Sequence, residues 1–246
     1  MKVLILNSGL GTRMGSLTKN QPKCMTDIGS YETILSRQLK IIKTIGITEI
    51  IMTTGFSHNV LEEYIHTLNL DLNYTFVYNP RYAITNYIYS IYLARDYLLD
   101  SEVIMMHGDL VFEQQVLLNL LDADLSVMTV SSTRPLPSKD FKAVVEKGLI
   151  TKVGVEFFEQ AYAAQPLYKL QQEDWLVWLN KIISYCENGL VDCYAENAFN
   201  EISGQIKLFP FDVKNQLCAE IDNLDDLETV KKALSEAKEE GNEIEN

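Results

Sequence analysis

The sequence predicts an α/β protein: a Rossmann-like, mixed and mostly parallel sheet with helices on both faces. Three observations carry that reading. Through residue 109, apolar runs of strand length alternate with segments whose apolar positions recur at helical spacing. Such alternation implies right-handed βαβ crossovers and a sheet covered on both faces. The strand ends in this half carry a glycine-containing loop, Gly55, Asn79 and Asp109, and ligands of parallel sheets gather beyond the carboxyl ends of the strands. Finally, 246 residues of which 47% are hydrophobic can fill a sizeable core.

Residues 2–7 read as a buried first strand. A helix near 31–45 follows, with Ile34, Leu35, Leu39, Ile42 and Ile45 on one face and Gly46 ending it. Strands are predicted at Glu49–Thr54, Tyr74–Asn79 and Val103–His107, and helices at Val60–Leu68 and Ile88–Leu98. After Asp109 the rhythm changes. Leu125–Ser131 and Ala143–Glu146 read as strands, Leu149–Val153 as a hairpin partner across Lys147-Gly148, and Glu173–Glu187 as a helix. This half is expected to add strand extensions and an insertion forming a lid on the same domain. A last helix is predicted from Asp225 to about Lys238, with 239–246 a frayed, solvated tail.

The net charge is −13, and Lys and Arg are thinly spread outside short stretches near 37–43 and 139–152. No broad cationic face is available to follow a nucleic-acid backbone. An acidic chain can still hold a small anion where a few cations and backbone N–H groups converge and a divalent metal offsets the rest. Cys24, Cys186, Cys193 and Cys218 form no CxxC pair. Reduced thiols and a cytoplasmic setting are therefore expected, with no membrane partner, since the apolar runs fall well short of the roughly 20 residues that cross a bilayer.

The stretch LNSGLGTRM, Leu6 to Met14, leaves the first strand. Gly9 and Gly11 permit close backbone approach, Arg13 adds a guanidinium, and Lys23 follows Pro22 in QPKCM. Donors and two cations suit a triphosphate whose charge grows on departing pyrophosphate, although the glycines alone fit an ordinary strand exit equally well. The loop is neither GxGxxG, since Met14 stands in the third glycine's place, nor a P-loop ending in Gly-Lys-Ser/Thr.

The full string N-S-G-L-G-T-R-M-x-x-L-T-x-N-x-P-K resembles the signature of nucleotidyltransferases that join a nucleoside monophosphate to a phosphorylated sugar or alcohol, usually written GxGxR followed by PK. The resemblance implies the nucleotide-diphospho-sugar transferase type of fold. It makes Arg13 and Lys23 catalytic, and it makes Leu6, Asn7, Ser8, Gly9, Gly11, Thr12 and Gly108 nucleotide contacts. NPRYAITNYIYSIYLAR, from Asn79 to Arg95, resembles a segment of bacterial phosphocholine and phosphonate cytidylyltransferases. There Asn79, Asn86 and Ser90 would lie by the pyrimidine nucleotide, and many relatives carry Asn-Asn where this chain has Asn86-Tyr87. In MMHGDLVFE and CAEIDNLDDL, Asp109 and Asp222 resemble the family's metal-binding aspartates. Two carboxylates, with waters and phosphate oxygens, can hold Mg²⁺. Taken alone, Asp222 fits a helix N-cap.

The resemblance implies one domain over 1–238: a nucleotide-binding core to 130, an acceptor-binding and sheet-completing part over 131–222, and a terminal helix over 223–238. Acceptor contacts are expected from Lys142, Tyr168, Lys169, Tyr194 and Glu196, with Phe141, Trp175 and Glu220 as further candidates for an aromatic and acidic pocket. Glu196 and Asn197 stand where relatives have an acidic residue and Asn, but a neighbouring Trp is Ala195 here. No histidine is assigned to catalysis, because a phosphate or phosphonate monoester is already an oxyanion nucleophile and needs positioning and charge stabilisation instead. The implied activity is transfer of CMP from CTP to a small phosphorylated or phosphonate acceptor, such as phosphocholine, phosphoethanolamine, aminoethylphosphonate or a phosphorylated amino acid, releasing pyrophosphate. The alternatives are a sugar-1-phosphate nucleotidyltransferase using UTP or dTTP, and a non-catalytic nucleotide-binding regulatory module. Related enzymes often pair, which leaves a homodimer open.

Overall fold

The opening strand β1 (Lys2–Asn7) is apolar on both faces, with Val3 and Ile5 on one and Leu4 and Leu6 on the other. Such a strand is stable only inside a sheet covered on two sides. In the computed structural model, which describes residues 1–244 and side chains through Ala237, it has that position. A small hairpin, β2 (Asp27–Gly29) and β3 (Glu32–Thr33), precedes α1 (Ile34–Thr44). Thr33 and Ser36 close a reciprocal N-terminal cap on α1, and Gly46, at φ 80°, ends it as its position predicts. Next come β4 (Glu49–Thr54), α2 (His58–Thr67), β5 (Asn73–Tyr78), α3 (Tyr87–Ala94), β6 (Val103–His107), β7 (Leu110–Phe112) and α4 (Gln114–Leu121). The second half holds β8 (Ser126–Ser131), β9 (Lys142–Glu146), β10 (Leu149–Gly154), β11 (Ala161–Leu170), α5 (Gln172–Glu187), α6 (Ala195–Ile202), β12 (Leu208–Asp212), β13 (Cys218–Glu220) and α7 (Leu224–Ile244).

The main sheet has nine strands. β5, β4, β1 and β6 run parallel, β11 lies antiparallel beside β6, β8 is antiparallel to β11, and β12 is parallel to β8. This is the mixed, mostly parallel α/β architecture the sequence predicts. On one face, α3, α5 and α6 bring Ile88, Ile91, Trp175, Trp178 and Phe199 onto Leu4, Leu6 and Met105. On the other, α1, α2 and α4 bring Leu35, Leu39, Leu61 and Leu117 onto Val3, Ile5 and Met106. A smaller core joins Leu227 and Val230 of α7 to Ile28, Val111 and Ile221.

The second half supplies the strand extensions and sheet completion that were expected of 131–222. β11 extends the sheet of parallel strands beside β6, and β8 and β12 follow it. Pro166 disguises β11 in the sequence, because proline cannot donate to a ladder. The strand accommodates it with a register irregularity against β8 between Ala164 and Tyr168, where the Thr129 hydroxyl donates to the Gln165 carbonyl at 2.9 Å. Lys147-Gly148, both at positive φ, makes the tight β9–β10 hairpin that was expected. At the end of the chain α7 continues to Ile244, so residues 239–244 are helical backbone rather than frayed, and 245–246 lie outside the described residues. Among the described residues no helix is long and apolar enough to cross a membrane.

Candidate active site

The carboxyl ends of β1 and β6 meet directly. A Cβ at Gly108 would fall 1.6 Å from Oδ1 of Asn7, so the turn after β6 can nest against the loop after β1 only if residue 108 has no side chain. Gly108→Ala must push the two loops apart. Its expected result is a loss of about 1–3 kcal/mol of stability by overpacking, read in thermal unfolding. Beyond Asn7, Gly11 adopts the left-handed region at φ 62° and its carbonyl accepts from Thr18 Oγ1 at 2.9 Å. The chain then makes short 3-10 turns over Thr12–Thr18 and Lys23–Met25. These turns aim Arg13 and Lys23 at one place.

Lys23 Nζ lies 2.6 Å from Asp109 Oδ2 and 2.5 Å from Asp222 Oδ1, and Arg13 Nη1 lies 2.9 Å from Asp222 Oδ2. Residues 86 and 199 positions away from Lys23 are thus drawn to one ammonium. The cap of α7 is made by its neighbours. The Asn223 carboxamide accepts from the N–H of Asp225 and Asp226, and the Asp226 carboxylate accepts from the N–H of Asp222 and Asn223. That releases the Asp222 side chain from the capping role and turns it to the cleft. Burial would raise the Asp109 pKa, but the Lys23 charge, then that of His107, outweighs it and holds the carboxyl below its usual range. Burial would likewise lower Lys23, and the two aspartates reverse this, leaving it raised. Oδ1 of Asp109 is buried with no hydrogen-bond partner. A spare hard oxygen beside a second carboxylate, both gathered on a cation, fits the donor set that a divalent ion takes.

Three connected clefts meet at Asp109. The first, about 300 Å³, runs along the glycine loop past Arg13, Lys23, Gly108 and Asp222. The second, about 340 Å³, lies between Ser8–Leu10 and the loop that carries Tyr82, Thr85 and Asn86. The third, about 180 Å³, is bounded by Lys139, Asp140, Phe141, Tyr194 and Glu220. His107 and Tyr87 stand between the second and third. His107 Nδ1 is 3.0 Å from Glu220 Oε1, and one ligand atom from each of His107, Asp109 and Glu220 lies within 4.8 Å of the others. Burial, with the charges of Asp109 and Asp222 adding to it, pushes Glu220 up to about 7, against the opposing pull of His107. At Asp140, burial and then the charges of Asp222 and Asp226 raise the carboxyl.

Most of the residues singled out from the sequence converge here. Leu6, Asn7, Gly9, Gly11, Thr12, Arg13, Lys23, Gly108, Asp109 and Asp222 line the first cleft. Ser8 and Asn86 line the second, and Tyr194 the third. Asn79 and Ser90 stand one layer behind, correcting their expected place as direct contacts: Ser90 Oγ bonds Ser8 Oγ at 2.6 Å and Asn79 Nδ2 at 3.0 Å, so the pair fixes the wall.

Four of the five expected acceptor residues also require correction. Lys169 pairs with Ile104 near the start of β6, and its ammonium donates to the Leu121 and Ala123 carbonyls at and just after the end of α4, at the opposite end of the strands from the clefts. Lys142 is buried, donating to the Pro137 carbonyl at 2.7 Å and lying over the Phe158 ring. Tyr168 and Glu196 are buried and bonded to each other at 2.7 Å. The further candidate Trp175 is core, donating to the Leu98 carbonyl at 2.8 Å. Sequence reasoning did not name Lys139 and Asp140 as site residues, although they open the stretch KDFKAVVEKG, of which it chose Phe141 and Lys142. Tyr87, noted in the sequence only as a departure from Asn-Asn, lines both the second and the third cleft.

A family model described as "Domain of unknown function (DUF6564)" matches residues 19–147. A CTP:phosphoglutamine cytidylyltransferase of Campylobacter jejuni is 30% identical over 153 residues, covering 59% of this chain and 59% of that protein. A CMP-5'-(3-aminopropyl)phosphonate synthase of Streptomyces rubellomurinus is 30% identical over 136 residues, covering 55% of this chain and 21% of that protein. The chain thus spans about three-fifths of the first curated relative and about one-fifth of the second. The solved CTP:phosphocholine cytidylyltransferase of Streptococcus pneumoniae superposes with a TM-score of 0.76 at 19% identity, over 95% of this chain and 98% of that one. The fold is therefore that of the nucleotide-diphospho-sugar transferases.

Proposed function

The chain belongs to the family described as a domain of unknown function, DUF6564, and we propose that it is a CTP-dependent cytidylyltransferase acting on a small phosphorylated or phosphonate acceptor. The observation that carries this reading is the convergence of Arg13 and Lys23 with Asp109 and Asp222 where the glycine loop meets the end of β6. The relatives named for CTP and CMP chemistry support CTP over UTP or dTTP. A non-catalytic binding module would have no need of this charge arrangement, which suits a group whose negative charge grows during reaction.

In this reading the triphosphate lies along the first cleft and the pyrimidine in the second, against Ser8 and Asn86. An acceptor oxygen attacks the α-phosphorus in line, forming the new P–O bond as the bond to the β-phosphate oxygen breaks and pyrophosphate leaves. Lys23 turns from the two aspartates to the phosphates. Arg13, more than half exposed and hinged on Asp222, meets the departing β- and γ-phosphates. Backbone N–H groups of the glycine loop add donors without charge. Asp109 and Asp222 would hold Mg²⁺, which supplies charge neutralisation and orientation of phosphate oxygens. No general base is required, since the acceptor arrives as an oxyanion.

Pyrophosphate release from each of CTP, UTP and dTTP, over a panel of phosphorylated amines, phosphonates, amino-acid phosphates and sugar phosphates, tests this. Release that depends on CTP and on a non-sugar acceptor supports the proposal. Release with a sugar phosphate and UTP or dTTP, or thermal stabilisation by nucleotides without any release, contradicts it.

A further inference from the structure

On the face of the sheet covered by α1, α2 and α4, a polar side chain of α1 is turned inward. Gln38 shares the buried side of that helix with Leu35, Leu39 and Ile42 and is 1% exposed. Its Nε2 donates to the His107 carbonyl at 2.9 Å and to the Leu110 carbonyl at 2.8 Å. Both partners are carbonyl oxygens, so the amide nitrogen is the atom that faces them. The other half of the carboxamide, Oε1, is buried with no hydrogen-bond partner among the described residues. Burying a half-satisfied polar side chain is costly, and leucine or methionine would fill this place without that cost. What Gln38 contributes is therefore confined to its two bonds.

Those bonds span a single turn. His107 ends β6, Leu110 begins β7, and Gly108 and Asp109 lie between them. The Gly108 N–H donates to the Leu6 carbonyl, and the Asp109 carbonyl accepts from the Ile221 N–H, each at 3.0 Å. These contacts tie the turn outward to β1 and to the segment that leads to Asp222, whereas Gln38 ties its two ends to each other. Gly108 must lack a side chain to nest against Asn7, and a glycine loosens the turn it enters. The carboxamide offsets that looseness. Asp109 pairs with Lys23 through Oδ2 and keeps Oδ1 without a partner, and such a carboxylate serves a cation well only when its support holds it to within about 0.5 Å.

We propose that Gln38 is a positioning residue for the reaction: it clamps the turn from His107 to Leu110 and thereby sets the Asp109 carboxylate for the metal. It acts through the turn and not on the ligands. This assignment rests on the reading of the site as a cytidylyltransferase.

Gln38→Met removes both donors at similar volume. Ile42→Val, which thins the same buried side of α1 and removes no hydrogen bond, is the control. Three quantities are compared: Mn²⁺ affinity by titration calorimetry without nucleotide, amide hydrogen exchange by NMR, and kcat with CTP and the acceptor selected by the panel. Gln38→Met should lower Mn²⁺ affinity and kcat each by about tenfold or more, and its Gly108 and Ile221 amides should lose more protection than those of β4. Ile42→Val should keep its Mn²⁺ affinity, with any loss of protection spread evenly. Wild-type Mn²⁺ affinity or kcat in Gln38→Met, or turn amides that lose protection only in step with β4, overturns the proposal. Gln38→Glu, which keeps the shape and turns an oxygen to the two carbonyls, carries the same expectations if the methionine variant does not fold. If wild type takes up no Mn²⁺ while Lys23 holds the aspartates, the same comparison is made in Lys23→Met. A wild type that binds Mn²⁺ but releases no pyrophosphate with any acceptor overturns the cytidylyltransferase reading, and the Mn²⁺ and exchange results then still decide the role of Gln38.

Discussion

Lys23→Met is expected to lower CTP-dependent pyrophosphate release by about 10³-fold or more, the scale set by removing a cation that meets developing phosphate charge. Structural consequences accompany the kinetic one. Lys23 is the counter-cation of Asp109 and Asp222, at 2.6 and 2.5 Å, with all three side chains largely buried. Taking away one partner of a buried ionic cluster costs on the order of 3–5 kcal/mol, because the remaining charges stay desolvated; the partial exposure of these groups puts the expected loss at the lower end. The same two carboxylates become better metal ligands once the ammonium is gone. Lys23→Met should therefore melt lower than wild type without divalent cation, recover more of its stability on adding Mg²⁺, and bind Mn²⁺ more tightly in the absence of nucleotide. Titration calorimetry and thermal unfolding read both effects. Near-normal turnover by the variant would remove Lys23 from the chemistry.

Asp109→Asn is expected to reduce turnover by a similar factor, about 10³-fold, while keeping the size and shape of the side chain. Asp109 lines all three clefts, pairs with Lys23 and keeps a buried oxygen with no partner. Acid stability gives an independent readout. The folded-state pKa of Asp109 is depressed, so its contribution is fully present above the ordinary carboxylate value of about 4 and is lost as pH falls through the folded value. Wild type should therefore lose stability to acid more steeply than Asp109→Asn, which should start from lower stability at neutral pH. Urea midpoints measured from pH 7 down to pH 3 check the difference in slope. Parallel curves would mean that the Lys23 pair contributes nothing to acid unfolding.

The first half of the fold was legible because each of its elements is local. β1, β4 and β6 are short apolar runs, and the intervening helices show apolar spacing with stop signals such as Gly46. The second half was less legible for a physical reason. β11 carries Pro166 in a central strand, accommodated by a register irregularity against β8 and by the Thr129 hydroxyl at the irregular backbone. The short helices α4 and α6, eight residues each, leave little room for periodicity to declare itself. For the site, the glycine loop, Arg13, Lys23, Asp109 and Asp222 were singled out through the resemblance of their motifs to a family signature, and the structure brings them together. The acceptor side could not be read in that way, since a lysine's sequence position does not say which end of a strand it occupies. Lys169 shows this, lying beside the start of β6, at the opposite end of the strands from the clefts. Glu196 shows a related limit: an acidic residue expected to face the acceptor is buried, its carboxylate accepting from the Tyr87 and Tyr168 hydroxyls.

The measurement that tests the central claim most directly uses CTP labelled at the α-phosphorus, followed in the presence of Mg²⁺ and the acceptor selected by the panel. Transfer of the label to a CDP-linked product, in equal amount to the pyrophosphate released and abolished in Lys23→Met, is the result this account predicts. Label that stays in unreacted CTP, or appears in CMP or CDP without a labelled acceptor adduct, would contradict it.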